Sequence, residues 1–83
     1  MSKRAEKVLG ANVKALRKAR GWTQQHLSDL LIEEGVNIRQ TSLAKLEGGT
    51  KPTTASELLA LATVLQVGYD ELLPIPAIQL QLL

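Results

Sequence analysis

The stretch Thr23-Gln24-Gln25-His26-Leu27-Ser28-Asp29-Leu30-Leu31-Ile32-Glu33-Glu34-Gly35-Val36-Asn37-Ile38-Arg39-Gln40-Thr41-Ser42-Leu43-Ala44-Lys45-Leu46-Glu47 holds two helical patterns separated by one turn. Thr23 can cap a helix with its hydroxyl, Leu27, Leu30 and Leu31 share a face, and Gly35 stops the run, which predicts a helix over about 24–34. Beyond the turn Gly35-Val36-Asn37-Ile38, residues 39–47 place Leu43 and Leu46 on one side and close at Gly48-Gly49. Two helices joined by a short glycine-containing turn form a unit that can lay its second helix in a DNA major groove. Many helical proteins carry such a pair for packing alone, so the outward side of the second helix decides.

With Leu43 and Leu46 inward, a rotation of about 100° per residue turns Gln40, Thr41, Ala44 and Lys45 toward solvent. That face is polar and free of acids, whereas an ordinary solvated face mixes in Glu or Asp. Glutamine can make paired hydrogen bonds to adenine, lysine can donate to guanine, and the methyls of Thr41 and Ala44 can touch the thymine methyl.

Working outward, Leu9, Val13 and Leu16 repeat at helical spacing with Lys14, Arg17 and Lys18 between them, predicting a first helix over about 4–20 that ends before Gly21. Thr54 and Glu57 form a capping box ahead of Leu58, Leu61, Ala62 and Leu65, predicting a helix over about 55–66. Gly68 opens a short helix, 69–73, with Asp70 and Glu71 in its first turn where the dipole favours acids, and Pro74 ends it. The expectation is an all-α chain whose five helices share one core over residues 1–73.

Residues 74–83 differ. Ile78, Leu80 and Leu82 alternate with Gln79 and Gln81, which is a β-strand signature. A lone apolar strand has nothing to pair with and invites association. One reading is a dimerisation strand pairing with a second copy through Ile78, Leu80 and Leu82. The others are a tail folded over its own helices or a segment cut from a longer protein; the rival to DNA binding as a function is a protein-interaction module, for instance an antitoxin whose tail or helix 5 face binds a partner protein.

The 83 residues have room for one domain, which hides only about 60% of its unfolded surface. With 45% hydrophobic and 22% charged residues it has the makings of a folded core. Net charge is +2, but residues 1–20 carry seven basic side chains against Glu6, while the remainder carries three against seven acids. A field polarised in this way suits a polyanion, although a solvated surface also accounts for it. There is no cysteine, which excludes disulfides and thiolate chemistry. Apolar runs fall far short of the ~20 residues that span a bilayer, and Met1-Ser2-Lys3-Arg4 leads into no secretion core, so the expected location is the cytoplasm, away from membranes.

Catalysis and cofactors are not expected. His26 is the one histidine, so no metal cluster with sensible ligand spacing can be assembled. Glu33-Glu34 and Asp70-Glu71 lack a base or nucleophile partner. Trp22 sits where an apolar residue staples a helix start, and Trp22 and Tyr69 alone make no platform for single-stranded bases.

The segments Leu16-Arg17-Lys18-Ala19-Arg20-Gly21-Trp22-Thr23-Gln24-Gln25-His26-Leu27 and Thr41-Ser42-Leu43-Ala44-Lys45-Leu46-Glu47-Gly48-Gly49, with Leu65-Gln66-Val67-Gly68-Tyr69-Asp70-Glu71-Leu72-Leu73, resemble the Cro/CI-type (XRE family) helix-turn-helix domain of phage repressors and bacterial regulators. The resemblance runs from about Leu9 to Leu73. It implies a compact, lambda-repressor-like five-helix fold and a transcriptional regulator of double-stranded DNA, by family habit a repressor; the homodimer expected from the tail would read a palindromic operator. It further implies base reading by Gln40, Thr41 and Lys45, with Arg39 near a phosphate or flanking base. Thr23, Gln24 and Gln25 would meet phosphate at the start of helix 2, with capping as their other reading, and Lys51 would meet it from the loop after helix 3. A buried pair between Arg17 and Glu47 is implied as well.

The chain departs from the family pattern at Ile32 to Glu34, about three extra residues that lengthen helix 2. Arg39 stands where a Ser or Thr cap is common, and Asn37, with Gln40 three residues later, is the alternative cap. The loop Gly48-Gly49-Thr50-Lys51-Pro52 carries one cation where relatives carry several. Lys3, Arg4 and Lys7 are either a basic arm or helix start that compensates for it, so that helices 1 and 2 and this loop hold phosphate together, or a solvated terminus.

Overall fold

Helix starts follow side-chain oxygens. In the computed structural model, which describes residues 1–74, the Ser2 hydroxyl accepts from the Ala5 amide at 3.1 Å and opens α1, Lys3–Ala19. The Thr23 hydroxyl accepts from the His26 amide at 3.0 Å and opens α2, Gln24–Glu33. Thr54 and Glu57 cap each other's backbone at 3.1 and 2.9 Å and open α4, Ala55–Leu65. Each such bond satisfies an amide the helix itself leaves without a partner.

Between them lies α3, Gln40–Glu47, and after them α5, Tyr69–Leu72. Asn37 does not cap α3: it is exposed, and Arg39 holds the cap position without a side-chain hydrogen bond. Burial of the neighbouring Ile38, 1% exposed, sets this entry instead. The end of α3 is made by Gly49 at φ 73°, a left-handed conformation that glycine enters without steric cost. Its amide reaches the Leu46 carbonyl and that of Thr50 reaches Lys45, both at 3.0 Å, so carbonyls at the helix end find donors.

The core joins Leu9 and Val13 of α1, Leu27 and Leu31 of α2, Leu43 and Leu46 of α3, Leu61 and Leu65 of α4, and Leu72 of α5, all essentially without solvent contact. Leu16, Leu30 and Leu58, expected on inward faces, are only half-buried, with Leu16 and Leu58 packing at the edge of the core. α1 is the hub, touching α3, α4 and α5, while α2 packs on α3 and α4. Every described regular element is helical. No helix among the described residues is long and apolar enough to cross a membrane, and none of their acidic or histidine side chains group as a metal site. The expected strand with Ile78, Leu80 and Leu82 lies outside the described residues.

Two close approaches fix the hub. A β-carbon at Gly10 would overlap the Leu46 carbonyl oxygen and come within 2.7 Å of that of Glu47, so α1 crosses the end of α3 backbone to backbone. On another side of α1 the Asn12 amide donates to the Leu72 carbonyl at 2.7 Å, and at its end the Arg20 guanidinium donates to the carbonyl of Leu65.

Candidate nucleic-acid interface

The geometry of the α2–α3 pair rests on a buried serine. Ser28 turns inward beside Leu27 and Leu31, and its hydroxyl donates to the Ile38 carbonyl at 2.6 Å. The turn is thereby tied to the middle of α2 just before α3 begins. Leu43 and Leu46 anchor α3 from beneath, and its other side faces outward.

On that outward side Thr41 and Lys45 are exposed, with Gln40 and Ala44 half-buried beside them. No acid joins them: the one carboxylate of α3, Glu47, points inward and is 7% exposed. Arg39 stands exposed at the helix start. A shallow groove between α2 and the start of α3 is lined by Gln25, Asp29, Ile32, Arg39 and Thr41. Ile32 is 42% exposed and brings an apolar wall to this groove.

Beneath the face runs a chain of hydrogen bonds. The Gln40 amide donates to the Gln24 carbonyl oxygen at 2.7 Å, and the Gln24 amide donates to Glu47 at 3.0 Å. Glu47 in turn accepts from Arg17 through Nε at 2.7 Å and Nη2 at 3.0 Å, a two-pronged pair that fixes geometry as well as adding energy. Arg17 Nη1 completes the chain by donating to the Trp22 carbonyl at 2.7 Å. The hydrogen bond from Arg17 to Glu47 raises the Arg17 pKa above its ordinary value, outweighing the opposing effect of burial.

The residues expected at the DNA backbone divide. Thr23 spends its hydroxyl on the α2 cap, and Gln25 donates to Asp29 at 2.9 Å along its own helix. Gln24 is no cap, since it bridges Gln40 and Glu47. The Lys51 ammonium lies 2.9 Å from both Glu57 oxygens and from the Pro52 carbonyl, so it is paired within its own loop and the start of α4. Trp22 is half-buried against the core and meets His26 of the first turn of α2 edge-on, with ring centres 5.2 Å apart.

Sequence reasoning passed over Gly10 and Ser28, which set the arrangement. Both left a signal. A glycine inside a strongly periodic helix costs ~1 kcal/mol against alanine and calls for a packing reason. Ser28, for its part, falls on the leucine face of α2.

A family model described as a helix-turn-helix domain matches residues 8–74. Among solved structures, the chain is similar to the crystal structure of the DNA-binding domain of BldD, at 28% identity and a TM-score of 0.73, over 89% of this chain and 100% of that one. No curated protein matches it.

Proposed function

The chain belongs to the helix-turn-helix domain family, and from that premise we propose that it is a sequence-specific regulator of transcription that binds double-stranded DNA through α3. The observation that carries this is the exposed, acid-free row of Thr41 and Lys45 beside a Gln40 whose amide is held from behind by Gln24. One N–H of Gln40 is taken by Gln24. The carbonyl and second N–H remain, and together they match the N6 donor and N7 acceptor of adenine. Lys45 is suited to a guanine, and Thr41 and Ala44 to a thymine methyl. The similarity to a domain that binds DNA supports the same reading.

Phosphate would be held at the start of α2, where the Gln24 and Gln25 backbone amides have no partner within the helix and the dipole favours an anion. Arg39 adds an exposed cation at the groove. The regulator is not an enzyme: it acts in the cytoplasm by occupying an operator, as a repressor. A homodimer would read a palindrome with half-sites about 34 Å apart, one helical turn. Residues 1–73 form the DNA-binding unit and 74–83 the dimerisation tail.

Selection of bound duplexes from a random pool, followed by titration of the winning sequence over a range of salt, tests the proposal. If the dimer neutralises roughly eight phosphates, log affinity falls against log salt with a slope near −7. No enriched motif and no salt slope would refute it.

A further inference from the structure

One exposed face of α1 has no part in the α2–α3 site described above. Lys3, Lys7, Lys14 and Lys18 are all exposed, and at about 100° per residue they fall within about 60° of arc. They form a single row over about 22 Å of helix. No acid lies on that face, since Glu6 is on the buried side, and none of the four is in a salt bridge among the described residues. Two pairs within the row are like charges four residues apart, an arrangement that destabilises a helix unless something else uses it.

The row has a definite place in the fold. On the helical wheel it adjoins Gly10 and Arg17, the positions where α1 meets the end of α3 and, through Trp22, the approach to α2. Lys7 lays its stem over Gly49, the exit turn of α3: a β-carbon on Gly49 would lie 2.6 Å from the Lys7 Cγ. Asn12, which holds α5, is on the opposite side of the helix. The lysines therefore border the end of α3 and its exit turn and lie away from α5. They add cations beside the loop after α3, whose one lysine, Lys51, is paired with Glu57.

We infer that the lysine row of α1 is a second phosphate-binding surface, which grips the duplex backbone outside the base pairs read by α3 and gives no sequence preference of its own. A linear row of cations without acids complements a linear polyanion, and phosphate bonds of this kind fix register and add affinity without reading bases. The inference rests on the DNA-binding proposal.

The test compares two duplexes, one trimmed to the sequence read by α3 and one extended by a helical turn at each end, using the full chain. The wild type should bind the extended duplex more tightly and with a steeper salt dependence. Lys→Gln at positions 3, 7, 14 and 18 together should abolish that gain and flatten the slope by about 0.9 for each phosphate no longer neutralised. Its binding to the trimmed duplex and its base preference should remain, and Lys→Arg at the same positions should keep the gain. A second Lys→Gln variant spares Lys7, whose packing on Gly49 affects folding, and should lose most of the gain. A Lys→Gln variant that keeps the gain, or weakens equally on both duplexes, overturns the inference and leaves α3 as the reader. A wild type that binds neither duplex overturns the DNA-binding proposal, and the inference with it.

Discussion

Gln40 of α3 donates to Gln24 of α2 at 2.7 Å, so the side chain best suited to read a base is braced by the helix proposed to hold phosphate. Bracing lowers the rotamer entropy lost when a long polar side chain is fixed on DNA. Gln40→Ala should cost ~1–3 kcal/mol at one base position and little on random DNA. Gln24→Ala should relax preference at that same position, because Gln40 loses its brace. Affinities of both single variants and the double variant, on the matched duplex and on one changed at that base, should show coupling of ~0.5 kcal/mol or more. Strictly additive losses would mean that the two glutamines act separately.

The Arg17–Glu47 pair sits with side chains only 9% and 2% exposed. Removing one member leaves the other buried and charged, so Arg17→Ala or Glu47→Ala should each cost roughly 3–5 kcal/mol in urea unfolding. Replacing both with apolar residues of similar size should cost much less than the two losses combined. Because the Arg17 pKa is raised, its contribution to stability is complete below the ordinary arginine range and is lost only as strong alkali titrates the folded-state group.

Gly10→Ala sets two effects against each other. Helix propensity favours alanine by ~1 kcal/mol. The added carbon, however, would meet the Leu46 and Glu47 carbonyls, which are backbone atoms at the end of α3 and cannot rotate aside. Overpacking of this kind costs ~1–3 kcal/mol or more, and collision with backbone belongs at the upper end. Thermal unfolding should show a net loss of roughly 2 kcal/mol once the propensity gain is subtracted. A more stable variant would disprove the close backbone approach.

Ending the chain at Leu73 tests the proposed dimer seam. Leu72 and Leu73 are buried and stay in place, so the helical core is preserved while Ile78, Leu80 and Leu82 are removed. Mass measurement in solution should find the full chain dimeric and the shortened one monomeric. A shortened chain that remains dimeric would place the interface on the helices.

The helices were legible because their causes are local. Thr23 and Thr54 act on amides three residues away, glycines end helices within a turn, and leucine spacing marks which side goes inward. The observed helices accordingly begin and end within about one residue of where the sequence places them. The cap of α3 was misread because Asn37 fits a local pattern that burial of Ile38 overrides. The pairing of Lys51 with Glu57 was not legible, because nothing in its own loop shows that the acid six residues on closes around it.

From the order of its residues alone, this chain specifies five helices, their inward faces and an outward row on the third, since caps and periodicity act within a few positions. Packing decided how those pieces bear on one another. Gln40 and Gln24 lie 16 residues apart, Arg17 and Glu47 30, and Asn12 and Leu72 60. Such partners meet only once helices are buried together, where close approach at Gly10 and the need to satisfy every buried charge select one arrangement among the many that the same periodicity allows.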